Sequence, residues 1–227
     1  MDAVLKEEMM MELCRYLDHA VLKPGMTRQQ AAEEIRLGVE CNVATVCVRP
    51  CDIRMAQEIC RNTETKVICV LDFPHGCSGA ETKEALAGIY ADMGVFEIDM
   101  VMNYGFAKSG LWDHVHDEVK RVVDVAHAKG VGVKVIFETS ELTLEEIRKG
   151  TEVCAAAGAD FVKTSTGFSS HGATVEAVQA MLDAADGKIK VKASGGIRTV
   201  EQAENYIRMG VERLGVGSST TPVLCGK

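Results

Sequence analysis

"VGVKVIFETSELTLEEIRKGTEVCAAAGADFVKTS", residues 131–165, contains one complete strand–helix–strand unit. Short apolar runs stand at 131–137 and 161–165 and do not alternate strictly with polar residues, as expected of strands buried on both faces. Between them Thr143 and Glu146 sit at capping-box spacing, and Gly158 closes the helix just before the second strand. A strand that returns through a helix to another strand implies parallel pairing.

The unit repeats along the chain. Further apolar runs at 17–22, 43–48, 67–73, 96–102, 189–194 and 213–217 bring the number of strands to eight. Thr27 with Gln30, and Thr199 with Gln202, open helices in the same way, and Gly130 and Gly210 precede strands. No Pro-rich or Gly/Ser linker interrupts the 227 residues. Eight strands alternating with about seven helices predict an α/β fold, a (β/α)8 TIM barrel forming a single domain over residues 1–227. Residues 1–16 read as an amphipathic helix ahead of the barrel. An open doubly wound sheet is the alternative, but "LDHAVLKPGMT" has no G-x-G-x-x-G turn after its first strand. Only ten residues follow Gly217, so an eighth helix has to be short.

A net charge of −8 and the lack of a basic run argue against nucleic acid and anionic membrane as partners, while local groups can still bind a small phosphorylated molecule. Nine cysteines at irregular spacing suit a reducing, cytoplasmic setting better than a secreted disulfide framework. Cys47 and Cys51 lack a second pair at zinc spacing, and His114 and His116 read as solvated helix residues, so neither metal nor cofactor is expected. The acidic N-terminal stretch is neither a signal peptide nor a membrane span.

In such a barrel the active site lies at the C-terminal ends of the strands. Asp18, Cys47, Asp72, Asp99, Glu138, Lys163 and Lys192 all fall near those ends. A set of structural ion pairs is the competing reading. Two lysines on consecutive strands, ~4.8 Å apart, repel by about 3 kcal/mol at an effective dielectric of ~20, or roughly two pKa units. Desolvation acts in the same direction. One amine then becomes neutral enough to attack a carbonyl, which suits Schiff-base chemistry, with Asp99 and Asp18 moving protons. These arguments do not choose between Lys163 and Lys192. Lys190 shares the parity of Lys192 and is read as lying at the opposite mouth. The glycine-rich turns "SGGIRT" after strand seven and "GVGSS" after strand eight occupy the positions that often hold phosphate in these barrels. Arg198 can add a bidentate contact and Ser218 a hydroxyl, with Gly167 bordering the same pocket.

"FVKTSTGF", "HGATVE", "VKASGGIRT", "EIDMVMN", "VKVIFET" and "LDHAVLKP" together resemble the deoxyribose-phosphate aldolase family, in order, from about residue 17 to 218. The resemblance implies a metal-free carbon–carbon lyase that cleaves 2-deoxy-D-ribose 5-phosphate reversibly to D-glyceraldehyde 3-phosphate and acetaldehyde, commonly as a homodimer. It implies Lys163 as the Schiff-base nucleophile, Lys192 as the cation that lowers its pKa, Asp99 as a proton relay through water and Asp18 as its support. Cys47 matches a pocket cysteine, and Thr166, Gly167, Gly195, Gly196, Arg198, Gly217 and Ser218 fall on or near substrate- and phosphate-binding loops. The chain departs from the pattern at Ala20, at Arg49 in "VCVRP", at Asp72 and His75 in "DFPHG", at Gly217, and in a tail without tyrosine. Two alternatives follow. One is a Schiff-base aldolase for another phosphorylated aldose, its pocket reshaped by Arg49, Asp72 and His75; the other is a non-catalytic phosphosugar-binding barrel.

Overall fold

The computed structural model describes residues 13–227. Eight parallel strands close into a barrel in sequence order: β1 Leu17–Val21, β2 Thr45–Val48, β3 Lys66–Leu71, β4 Glu97–Val101, β5 Gly132–Ile136, β6 Phe161–Lys163, β7 Lys190–Ser194 and β8 Arg213–Gly217. Strand β8 pairs with β1, Leu214 opposite Leu17. The open-sheet alternative is thereby excluded.

Helices return the chain between strands: α1 Arg28–Glu40, α2 Ile53–Ile59, α3 Ala80–Asp92, α4 Tyr104–Lys108, α5 Trp112–His127, α6 Leu144–Ala157, α7 Val175–Ala185, α8 Val200–Met209 and α9 Thr221–Leu224. Capping boxes open α1 at Thr27, α6 at Thr143 and α8 at Thr199, each satisfying two backbone donors that the first helical turn leaves free. Gly158 and Gly210 end α6 and α8 in the left-handed conformation that only glycine adopts without strain. Gly130 stands two residues beyond the C-cap of α5, in the turn before β5. The last helix has four residues, as the short tail requires. The helix expected at 1–16 lies mostly outside the described residues; Leu13 and Cys14 within them are helical and buried.

The period of two along each strand divides the barrel into two environments. Leu17, Val21, Val46, Val48, Leu71, Ile98, Met100, Val133 and Val135 belong to the main apolar core that also contains helix residues such as Ile35, Ile53 and Val119. Each fully buried aliphatic of this kind contributes about 1.5–3 kcal/mol. The alternate residues include Cys47, Ile68 and Val70, which form a separate small apolar cluster. They also include Asp18, Asp99, Lys134, Lys163 and Lys192, all buried. Such charges persist only if they neutralise one another.

Candidate active site

Strand register brings the charges together. Lys163 lies opposite Lys192 on β7, Asp99 lies opposite Lys134 on β5, and Lys192 lies opposite Arg213 on β8. Asp99 is the hub: its Oδ2 accepts from Lys163 Nζ and Lys192 Nζ at 2.9 Å each, and its Oδ1 accepts from Lys134 Nζ at 3.1 Å. Lys163 and Lys192 therefore lie within two hydrogen-bond lengths of each other. Lys192 also donates to Asp18, and Lys134 to Glu97. Thr45 Oγ1 donates to Asp18 Oδ1 at 2.8 Å, and Arg213 Nε stands 3.4 Å from the same oxygen.

The unequal sharing of carboxylates separates the lysines. Burial alone pushes each of the three downward. For Lys192 the charges of Asp18 and Asp99 overcome burial and raise the pKa; for Lys134 Asp99, Asp18 and Glu97 do the same. Lys163 has Asp99 alone, already shared, and Lys192 repels it, so its pKa stays below the free value of 10.5. Desolvation, more than repulsion from Lys192, is the larger cause, which corrects the emphasis of the sequence argument. Burial would raise the Asp18 and Asp99 carboxyls, but the lysines hold both below the usual range, Asp99 far below. Lys134, Lys192 and Arg213 then balance Asp18, Asp99 and Glu97, and the cluster is neutral when Lys163 is an unprotonated amine.

Above these charges a cavity of 390 Å³ opens at the C-terminal mouth. Asp18, Cys47, Lys163, Thr166, Gly167, Lys192, Gly195 and Gly217 line it. Glycines 167, 195 and 196 have positive φ, which lets their loops turn sharply at the rim. Burial pushes the Cys47 thiol up to about 12, with the Asp99 charge adding to the effect, so it sits there as a neutral thiol. Glu138, with φ 56°, bonds Thr166 through its hydroxyl and backbone N–H and anchors the start of the β6–α7 loop.

The model of the DeoC/LacD family aldolases matches residues 14–219. The chain belongs to the DeoC/LacD aldolase family. Deoxyribose-phosphate aldolase of Caldanaerobacter subterraneus subsp. tengcongensis is 42% identical over 214 residues, covering 94% of this chain and 93% of the relative. That of Thermococcus gammatolerans is 42% identical over 210 residues, covering 92% and 93%. Among solved structures, the aldolase QR15 superposes with a TM-score of 0.87 at 38% identity, covering 94% of each chain. The tetrameric deoxyribose phosphate aldolase of Aeropyrum pernix gives 0.86 at 26% identity, covering 99% of this chain and 97% of its own.

Within this family member, several expected residues lie away from the cavity. Gly196, Arg198 and Ser218 flank the rim but do not line it, and Arg198 is exposed, with its backbone N–H bound by Gln202. Arg49, Asp72 and His75 do not line the pocket. Arg49 pairs with Asp52, Asp72 accepts from Ser78 N and Oγ at 2.8 Å, and His75 is exposed. Asp72 also lies 3.6 Å from the buried Lys83, which bonds Glu118 and the carbonyls of Gly76 and Val101 and so ties the β3 and β4 loops to α5. Lys190 is exposed at the start of β7, paired with Glu212. Ala20 lines the cavity. Sequence reasoning missed Lys134, Glu97, Arg213, Ser194 and Lys23. Lys134 and Glu97 carried a usable signal, since each shares strand parity with a residue that was singled out.

Proposed function

We propose that this aldolase cleaves 2-deoxy-D-ribose 5-phosphate reversibly to D-glyceraldehyde 3-phosphate and acetaldehyde through a Schiff base on Lys163. The observation that carries the reading is the single depressed lysine at the cavity floor, bonded to Asp99 and flanked by the more basic Lys192. Its amine attacks the C1 aldehyde of the open-chain sugar, and loss of water gives an iminium. Asp99 lies beside the new positive charge and stabilises it. A base takes the proton of the C3 hydroxyl, the C2–C3 bond breaks, and its electrons pass into the iminium to give an enamine. Protonation at C2 and hydrolysis release acetaldehyde. Lys192 remains charged and keeps Lys163 from reprotonating, while proton traffic passes through a water held by Asp99, with Asp18 fixing Lys192. The glycine-rich rim at Gly167, Gly195, Gly196 and Gly217, with Ser218, Arg198 and Thr166 at hand, receives the phosphate.

No disulfide joins any of the nine cysteines, which fits a reducing cytoplasm, and no described helix is long and apolar enough to cross a membrane. We propose that the protein is a homodimer, and sedimentation as any other species in analytical ultracentrifugation refutes this. The deciding experiment is borohydride reduction in acetaldehyde. One ethyl group is expected on Lys163, with loss of trapping and turnover in Lys163→Met. An adduct elsewhere, or turnover that survives the substitution, overturns the reading.

A further inference from the structure

Lys163 and Lys192 are committed to Asp99 and Asp18. Arg198 stands outside the cavity lining, so a phosphate ester seated in the mouth needs a further cation. Lys23 is the other basic residue that lines the cavity. It is exposed, and no described residue bonds or pairs with its ammonium group. It lies in the β1–α1 loop and lines the same cavity as Gly195 and Gly217. Its flexible four-carbon stem lets the charged end reach over the rim.

That loop has a clamp. Arg49 Nη1 donates to the carbonyls of Lys23 and Pro24 at 3.2 Å and of Met26 at 3.1 Å, while its Nε donates to Asp52 at 2.7 Å. One guanidinium thus satisfies three carbonyls of the segment that carries Lys23 and is itself held by a carboxylate. The planar, multiply donating head of arginine is suited to this, and a lysine in its place lacks the fork.

We propose that Lys23 is the cationic contact for the substrate's phosphate monoester, and that Arg49 is a positioning residue that holds the Lys23 loop against the mouth. The inference rests on the aldolase reading for the identity of the substrate but not for the existence of the anion site. It gives the Arg49 departure in "VCVRP" a task outside the pocket walls.

The test compares 2-deoxyribose 5-phosphate with unphosphorylated 2-deoxyribose. Lys23→Gln should raise KM for the phosphate ester by about tenfold, with kcat within about twofold and the unphosphorylated sugar unaffected. Lys66→Gln, the same charge change at the far end of β3, should alter neither. Arg49→Gln should raise KM for the ester severalfold, and add nothing in the Lys23→Gln background, because both act through one contact. Calorimetric titration with inorganic phosphate reads the site without turnover, and Lys23→Gln should weaken that binding by a similar factor. Unchanged phosphate affinity and unchanged KM in Lys23→Gln, or equal losses for both sugars, overturn the role of Lys23. An Arg49→Gln effect that persists in full in the double variant overturns the clamp. A wild-type protein that binds phosphate through Lys23 but traps no acetaldehyde refutes the aldolase reading alone.

Discussion

Lys163 must share its carboxylate. Asp99 Oδ2 serves Lys163 and Lys192 at equal distance, while Lys192 also holds Asp18 and Lys134 also holds Glu97. Replacing Lys192 with methionine removes a repelling charge and frees Asp99 for Lys163, so the Lys163 pKa should rise toward 10.5. Since the neutral amine is the nucleophile, imine formation slows about tenfold for each unit of that rise at any pH below it. Expected is a trapping-rate profile whose rising limb moves to higher pH in Lys192→Met and meets the wild-type rate in alkali. A limb that stays in place would show that Lys192 does not tune Lys163. The sequence made these two lysines visible because each sits on an apolar strand and is followed by small residues. It did not reveal which one is depressed, since that depends on Asp18 reaching Lys192 from β1, a strand distant in the chain. Lys134 stands at the same depth as Asp99 and Lys192, but bulky Val135, Ile136 and Phe137 follow it, so it lacks the small residues that mark the other two lysines.

At the scale of the element, the β6–α7 loop is laid directly on β7. Ala173 N donates to the carbonyls of Ser194 and Gly195, Thr164 exchanges hydrogen bonds with Ser194, and Tyr206 Oη donates to Ala173 O. At Gly172 the two backbones come so close that a Cβ would fall 2.2 Å from Gly195 C and O. Gly172→Ala should therefore push the two rim loops apart. The expected result is a KM for the sugar phosphate raised by about tenfold or more, with borohydride trapping of acetaldehyde at Lys163 nearly unchanged. Equal damage to both would mean that the shift reaches the barrel floor. Strands and capped helices were legible because their signals are local, the apolar runs and the Thr-x-x-Glu/Gln spacing. The cavity walls from Lys23, Phe168 and Ser194 were not, because loop shape here follows from contacts between loops. The edge-on packing of Phe73 on Phe168, 5.3 Å between ring centres, is one such contact.

For the whole molecule, closure depends on the junction of β1 with the C-terminal segment. His19, fully buried on β1, donates from Nε2 to the Glu34 carbonyl at 3.0 Å and accepts from Thr221 Oγ1 at Nδ1, 2.7 Å away. Burial pushes its pKa from 6.5 to about 4. Between those values the unfolded chain binds a proton that the folded chain refuses, so stability rises with pH across the window and falls as pH drops through it. The full loss is about 3 kcal/mol. Urea midpoints should decline from pH 7 to pH 5 in the wild type, and more gently in His19→Gln, which keeps a donor for Glu34. Equal slopes would locate the acid sensitivity elsewhere.

The pairing of β1 with β8 also bears on how the protein is made. Asp18 emerges from the ribosome early, and its partners Lys192 and Arg213 follow about the length of the whole domain later. Joining them requires nearly the longest loop closure that the chain permits, a contact of very high sequence separation and so a late one. Until then Lys192 lacks Asp18, the carboxylate that sets it apart from Lys163, and the closed barrel that desolvates the Lys163 amine is incomplete. A nascent or truncated chain thus lacks the tuned amine that condenses readily with cellular aldehydes; that tuning arrives with the final strand.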